Sequence, residues 1–366
     1  MRNECQFSET PRECEGSRVE KMPFTDNLRD DLCQSSEEKE SFQRDKIVFP
    51  FLLDDGTLLY VADDSKFDDA GNPILNQNGE LQPNCRFEKN GISYQTDSDG
   101  RICLIDGKPI GDDNGETYID ESGNYLANNS FTIDGVTYKT DDNGTVYSKD
   151  GKLLPNTTYE LNGNIYTTDD KGRIVRCEAK PQHSPETPRS NKEQKESGGD
   201  DRRESDQGGH VIGRDLGGDS GNGNLIPMDA NINQSDYKRM ENEIKKHLDN
   251  GSKVSVNVDI HYSDDSRRPD KITVTVNVDG KDTVYIFDNN MDGSLMDEVP
   301  ENGKETVQKV LEETQGNISS IKFEYDEDGN LVKVTVTITY TDESGKTQRL
   351  PIVIDNPSGG TGNESN

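Results

Sequence analysis

Asp206-Gln207-Gly208-Gly209-His210-Val211-Ile212-Gly213-Arg214 leads through a glycine-rich turn into Asn224-Leu225-Ile226-Pro227-Met228-Asp229-Ala230-Asn231-Ile232-Asn233-Gln234. With Glu241 beyond it, this stretch gathers polar groups that a β-hairpin does not require. Two glycines ahead of His210 let the backbone turn tightly and leave the imidazole uncrowded. Val211 and Ile212 anchor the strand that follows. His210 is the one histidine set between glycines and apolar anchors; His183, in a polar linker, reads as solvated. Downstream, the spacing predicts a helix over 235–249, with Ser235 as N-cap, Asp236 in the first turn and Gly251 past the end. Tyr237, Met240, Ile244 and Leu248 form its buried stripe. Asn233 lies just ahead of that helix, where an amide oxygen can face a ligand or cation, and Glu241 follows on the helix itself. Each residue alone has a plain structural reading: a strand histidine is commonly solvated, an asparagine before a helix is commonly a cap, and a helical glutamate commonly faces water. Order and spacing together carry the signal.

Outward on the C-terminal side, strongly alternating strands are predicted at 254–262, 272–278 and 283–287, with a tight turn at Asp279-Gly280. Residues 291–355 echo this unit, with a helix over 305–314 ending at Gly316 and strands at 318–325, 331–340 and 348–354. The echo contains no histidine, so it reads as structural or as a partner surface. Residues 356–366 are a Gly/Ser/Asn tail.

On the N-terminal side, residues 178–206 are rich in Pro, Ser, Gly and Lys/Glu and read as a flexible loop. Before it lies an internal repeat. Residues 79–101, 123–145 and 151–173 align without gaps, sharing aromatic-x-x-x-Gly-x-x-Tyr-x-Thr-Asp-x-x-Gly. Each copy reads as a hairpin turning at its first glycine, with a second turn at Asp-x-x-Gly. One hairpin cannot bury both faces, so the copies are expected to stack or to lie on a neighbour. The Asp-rich turns fit an EF-hand loop poorly: with Gly100 as its glycine, the first position is Gln95 and the twelfth is Asp106 rather than glutamate. Hairpin turns are the expectation, and calcium the lesser reading. Residues 1–45 are charged and lack apolar periodicity, which reads as disorder.

The whole chain of 366 residues is 28% hydrophobic and carries a net charge of −31, with a mean hydropathy of −0.98. Small β-rich units joined by polar stretches are expected, rather than one large core. Bulk nucleic acid is repelled, so any role on nucleic acid must rest on a local site or a metal. No apolar run is long enough for a transmembrane helix, and no membrane partner is expected. The first residues carry no standard secretory signal, which leaves the cytoplasm or export by another route. The 6 cysteines show no C-x-x-C pair, so structural zinc is not expected. Their even number permits disulfides without demanding them, and scattered reduced thiols are the first reading.

Gly-Gly-His-x-Ile, then Asn-Leu-x-Pro-Met, then Asn-x-Asn-Gln with a glutamate beyond, resembles the DNA/RNA non-specific endonucleases of the ββα-metal class. It is most similar to their bacterial branch of type VII secretion toxin nucleases (EssD-like). The resemblance covers roughly 158–290, and the third repeat copy is similar to that branch's opening hairpin. It implies an α+β, ββα-metal nuclease fold with an antiparallel sheet, preceded by β-hairpin repeats. The implied organisation is 1–45 disordered, 46–157 repeats, 158–290 nuclease, 291–355 a C-terminal α/β unit, and 356–366 tail. The implied roles are His210 as general base, Asn233 as ligand of a single Mg²⁺ (or Mn²⁺), Glu241 near the metal through a water, and Asn224 lining the site and ordering the finger. DNA and RNA are the implied substrates, and a cognate immunity or inhibitor protein the implied partner. One departure stands out: the family's Asp-Arg before Gly-His falls on Gln207 and Gly208, so the arginine is absent. Arg214, Arg239 and Arg173 are the candidates for neutralising phosphate, with Arg214 first because it follows His210 closely. Its plain alternative is a surface charge paired with Asp215 or Asp219. The rival class is a non-catalytic, acidic β-repeat binding or adhesion protein with an inactive nuclease-like segment.

Overall fold

Turn chemistry organises the N-terminal half. In each hairpin copy an Asn-Gly or Asp-Gly pair occupies the two central turn positions with positive φ: Asn90 53° and Gly91 77°, Asp134 51° and Gly135 77°, Asn162 53° and Gly163 74°. This is the mirror-image turn whose twist matches a right-twisted strand pair. The threonine of each copy does one job three times. The hydroxyls of Thr96, Thr140 and Thr168 accept the amides of Cys85, Asn129 and Thr157 at 2.9 Å. They donate to the carbonyls of Gln82, Leu126 and Leu154 at 2.6, 2.6 and 2.7 Å. The aspartates beside them, Asp97, Asp141 and Asp169, accept backbone amides within their own turns. Their carboxylates therefore serve the backbone.

The computed structural model describes residues 66–120, 124–184 and 190–355, together with strand backbone at Arg12–Glu13, Leu32–Cys33, Ile47–Leu52 and Leu58–Asp63. The remainder of 1–45 and the tail at 356–366 lie outside the described residues. The chain divides into two compact units, Met1–Thr140 and Asp141–Asn366.

In the first unit the repeat is longer than one hairpin. Asp68 and Asp112 close equivalent turns. The aspartates after them, Asp69 and Asp113, cap the hairpin tips at Asn90-Gly91 and Asp134-Gly135. Phe49, Ile74, Phe87, Tyr94 and Ile105 form a small core, with the Phe87 and Tyr94 rings stacked at 5.5 Å. Arg12–Glu13 pairs in parallel with Cys85–Arg86. One expectation is corrected here. Cys85 is disulfide-bonded, whereas Cys103 and Cys177 are free and buried.

The second unit is α+β, built on an antiparallel sheet of 9 strands. In chain order its strands are β1 (Thr158–Leu161), β2 (Asn164–Thr168), β3 (Ile174–Ala179), β6 (Val254–His261), β7 (Lys271–Val278), β8 (Lys281–Asp288), β9 (Asn317–Tyr325), β10 (Leu331–Thr341) and β11 (Thr347–Asp355). Neighbours in this order are paired. A separate two-stranded ribbon, β4 (Asp206–His210) with β5 (Leu225–Asp229), lies off the sheet. The helices are α1 (Asn191–Glu196), α2 (Lys238–Asp249) and α3 (Glu301–Thr314).

Strand alternation divides the unit into two cores. Val254, Val256, Val258 and Ile260 of β6 and Ile272, Val274 and Val276 of β7 pack against ribbon and α2 residues Ile226, Met228, Tyr237, Met240 and Ile244. On β8, Tyr285 and Phe287 join this core, while Ile286 between them joins a second one with Val307 of α3 and Val334, Val336 and Ile338 of β10. Successive strand residues point to opposite faces. The ribbon and α2 thus cover one face of the sheet, and α3 covers the other.

The element boundaries differ from expectation in three places. Within the 178–206 loop, the short helix α1 forms, capped by Ser190. Helix α2 starts later than Ser235 because 232–237 winds as a π-turn, and the Ser235 hydroxyl bonds back to the Asn231 carbonyl instead of capping forward. Helix α3 begins at Glu301 and stops at a left-handed Gln315 (φ 53°), one residue before the glycine expected to end it.

Candidate functional site

The site grows from the ribbon. Strand β4 runs antiparallel to β5, with His210 opposite Leu225 and Asp206 opposite Asp229. Its start is pinned by a buried ion pair. Arg268, from the loop before β7, places Nε 2.8 Å and Nη2 2.9 Å from the two Asp206 carboxylate oxygens. The same guanidinium donates to the Asn289 carbonyl and to Asn290 Oδ1. A bidentate pair with its remaining donors satisfied fixes geometry as well as charge.

The glycines before His210 sit in extended strand, so their role is close approach rather than the tight turn expected. A Cβ at Gly208 would lie 2.6 Å from the Gln194 carbonyl oxygen of α1. This explains the missing arginine: helix α1 occupies the space that a side chain at 208 would need. A Cβ at Gly209 would meet Met228 at 2.9 Å.

Beyond His210, the chain enters the glycine-rich loop, and Asn224 closes it. The amide of Asn224, fully buried, accepts from Ile212 N at 2.9 Å and donates to Ile212 O at 2.8 Å and Asp219 O at 2.7 Å. Every polar atom of that side chain is engaged inside the loop. Asn224 thus orders the loop, with its amide oxygen and nitrogen both bonded to loop backbone. Tyr159 of β1 supports the same loop, its hydroxyl donating to Gly223 O at 2.7 Å.

Asn233 and Glu241 approach β4 from the helical side. Asn233, in the π-turn, donates from Nδ2 to Gln207 Oε1 at 2.9 Å. Glu241, on α2, is 8% exposed, and a Cβ at Gly213 would lie 2.5 Å from its Oε1. One residue thus meets the chain three positions before His210, and the other meets it three positions after. The contacts bracket the histidine.

Burial lifts the Glu241 carboxyl above its usual range, while Lys238, 2.9 Å from Oε2, pulls the other way. Asp215 is also raised by burial, but Lys245 and Lys238 more than reverse this and hold it below the usual range. Lys238 bridges the two carboxylates, lying 3.4 Å from Asp215. A carboxylate cluster threaded by lysines therefore flanks the site.

The arginine candidates separate. Arg173 is immobilised: its Nε bonds Asp169 at 2.7 Å, its Nη1 bonds the Asp264 and Ser266 carbonyls, and its guanidinium stacks 4.3 Å over Tyr262. Arg239 is half exposed, 3.6 Å from the buried Asp236. Arg214 follows Gly213 directly, in the short helical turn Arg214–Leu216. His183 pairs at the surface with Asp249, 3.1 Å away. Sequence reasoning missed Arg268, which sits in a polar loop with no periodicity to mark it. It also left Gln207 without a role beyond its alignment with the family's aspartate.

Residues 155–280 match the DNA/RNA non-specific endonuclease family. The chain is also similar to a probable deoxyribonuclease RhsA of Dickeya dadantii, 30% identical over 78 residues, which are 21% of this chain and 5% of that protein. It is similar to the type VII secretion system protein EssD of Staphylococcus aureus (strain USA300), 30% identical over 99 residues, which are 25% of this chain and 16% of that protein. The chain therefore spans a small part of these relatives' length. All the residues that bracket His210 lie inside the family-matched stretch.

Among the described residues no group of three or more His, Cys, Asp or Glu side chains is placed to hold a metal ion. The Asn233 amide instead suits a hard ion that keeps most of its water. Mg²⁺ has that habit, taking few protein oxygens and the rest from water and phosphate. An Asn233 amide whose nitrogen is bound by Gln207 has its oxygen left for such an ion. The residues fit the group.

Proposed function

We propose that the second unit is a divalent-metal-dependent endonuclease of the ββα-metal type, hydrolysing phosphodiester bonds of DNA and RNA without base specificity. The observation that carries this reading is the bracketing of His210 by Asn233 and Glu241, inside a stretch that matches a nuclease family. His210 serves as general base and takes a proton from the attacking water, a task suited to an imidazole near neutral pH. Asn233 would hold Mg²⁺ or Mn²⁺ through its amide oxygen, with Glu241 beside it. When bound, the ion offsets the negative charge that builds on the phosphate as the bond breaks. Arg214 supplies positive charge to the scissile phosphate. Contacts confined to phosphate and sugar carry no sequence information, which accounts for cleavage without sequence preference.

The similarity to a type VII secretion protein supports a further part of this reading: the chain acts as the effector of a bacterial toxin system and is held in check by an immunity protein. The disulfide at Cys85 favours an oxidising destination. The packing of α1 against Gly208 weakens the non-catalytic rival, because it gives a packing reason for the absence of a side chain at 208.

The test is degradation of plasmid and RNA by the purified chain with Mg²⁺, with EDTA, and after His210→Ala. Cutting that needs the ion and falls by about 10²–10⁴-fold in the variant is expected for loss of a general base. A folded chain that cuts neither substrate with Mg²⁺ or Mn²⁺ at low salt would return the protein to the binding class.

A further inference from the structure

We propose that Gln207 is a positioning residue that sets which end of the Asn233 amide faces the metal; this inference rests on the metal-dependent reading above. The two ends of an asparagine amide are nearly equal in size, so a half-turn about its last bond exchanges donor for acceptor at little steric cost. Hydrogen-bond partners alone decide the orientation. Here the Nδ2 of Asn233 donates to Gln207 Oε1 at 2.9 Å. This commits the nitrogen to the strand and leaves Oδ1, the atom a hard cation accepts, facing away from it.

The strand that carries the acceptor is held firmly. Gln207 lies between two immobilised neighbours: Asp206, fixed by both guanidinium bonds from Arg268, and Gly208, pressed onto the Gln194 backbone. On the opposite strand it is paired with Met228, which is fully buried. The π-turn carrying Asn233 is fixed from the other side. Ile232 and Tyr237 are buried, and Arg349 of β11 donates to the Asn231 carbonyl at 3.2 Å.

Glutamine at this position also has an electrostatic consequence. It accepts from the amide as a carboxylate would, yet it adds no negative charge, so it neither competes for the ion nor diminishes the ion's pull on phosphate. Orientation is supplied separately from charge.

The test uses the full chain and Mn²⁺ alone, with binding followed by the loss of the free-ion electron paramagnetic resonance signal. Four proteins are compared: wild type, Gln207→Met, Gln207→Glu and Asn233→Ala. Gln207→Met keeps the length and removes the acceptor. It should weaken Mn²⁺ binding by roughly 10–100-fold, the usual consequence of losing a partner that orients a metal ligand, with an unchanged melting temperature. The Mg²⁺ concentration needed for half-maximal cleavage should rise by the same factor. Gln207→Glu should restore binding to at least the wild-type level. Wild-type Mn²⁺ affinity in Gln207→Met, or equal weakening in Gln207→Met and Gln207→Glu, would overturn the proposal while leaving the nuclease reading intact, provided Asn233→Ala still abolishes binding. Equal Mn²⁺ binding by wild type and Asn233→Ala would overturn the metal reading itself, and this inference with it.

Discussion

The hairpin repeats and the ribbon–helix stretch are both dense in Asp, Asn, Gly and Thr, yet they use these residues in opposite ways. In the repeats the shared threonine and aspartate satisfy backbone, and the same atoms recur copy after copy: the threonine hydroxyl between an amide and a carbonyl, the aspartate over its own turn. In the ribbon, the π-turn and α2 the buried and half-buried polar groups are each used once. Asp206 meets an arginine from a distant loop, Asn233 a glutamine, and Glu241 a lysine and the face of a glycine. Repetition marks a polar group as scaffold. A buried polar group without a counterpart elsewhere needs another explanation, and around His210 several occur together.

The comparison is broken most easily at the ion pairs. Arg268 and Asp206 are both buried, with side-chain exposures of 4% and 0%. Arg268→Met leaves that carboxylate without its cation and should destabilise the second unit by about 3–5 kcal/mol. In the repeats, Arg101 and Asp99 are 3.1 Å apart but 31% and 52% exposed. Arg101→Met should therefore cost less than about 1 kcal/mol. Urea unfolding of the two variants measures both values, and comparable losses would erase the distinction.

A smaller effect tests whether the third hairpin belongs to the scaffold or to the site. Thr96→Val and Thr168→Val remove the same hydroxyl from equivalent places and orphan the amides of Cys85 and Thr157. Each should cost about 1–3 kcal/mol, the penalty for an unsatisfied part-buried donor. Hydrogen exchange at those two amides should accelerate in the respective variant. Because β2 is a strand of the nine-stranded sheet, only Thr168→Val should also shorten the half-life of the proposed cleavage activity on warming. An equal shortening in Thr96→Val would show that the repeats support the site.

What could be read from the sequence follows the same division. Periodic information was legible: the three hairpin copies, the alternation along 254–262, 272–278 and 331–340, and the stripe of α2 were all set by local rules, and the strands lie within a residue or two of their expected limits. Asn233 and Glu241 were singled out through spacing and resemblance, and the fold brings them to the chain on either side of His210, at Gln207 and Gly213. Arg268 was not, because nothing local distinguishes it from Arg267 beside it, and only the tertiary fold brings it to Asp206. The role of Gly208 was hidden for a similar reason. The close approach of α1 depends on a helix in a loop whose composition suggested none.

At its first consensus aromatic the third copy differs from the first two by one hydroxyl, and that difference is the next test. Phe87 and Phe131 become Tyr159, whose ring stacks on Tyr166 as the others stack on Tyr94 and Tyr138, at 5.3 Å against 5.5 and 5.4 Å. The added hydroxyl reaches the Gly223 carbonyl beside Asn224. Tyr159→Phe restores the repeat consensus and removes only that bond. It should cost about 0.5–1.5 kcal/mol and loosen the loop that Asn224 clamps, raising KM for DNA more than it lowers kcat. No change in either would make the hydroxyl incidental.

The smallest effect concerns Glu241, where the repeat rule and the site rule predict opposite signs. A scaffold aspartate such as Asp169 is raised by burial but more strongly lowered by Arg173 and backbone amides, so it stabilises the fold above its unfolded pKa and loses that contribution as pH falls. Glu241 is shifted the other way, its carboxyl raised by burial despite Lys238. The folded chain then holds the proton more tightly than the unfolded chain. Its contribution to stability is fully present below the ordinary glutamate range and is lost as pH rises through the folded value. Glu241→Gln should therefore raise the urea midpoint at pH 7, and the gain should vanish near pH 4, where the native carboxyl is already protonated. Nuclease activity should fall at pH 7 in the same variant. A gain in stability accompanied by a loss of cleavage is the mark of a carboxylate retained for chemistry. A loss of stability at pH 7 would instead make Glu241 one more scaffold acid, held by its lysine.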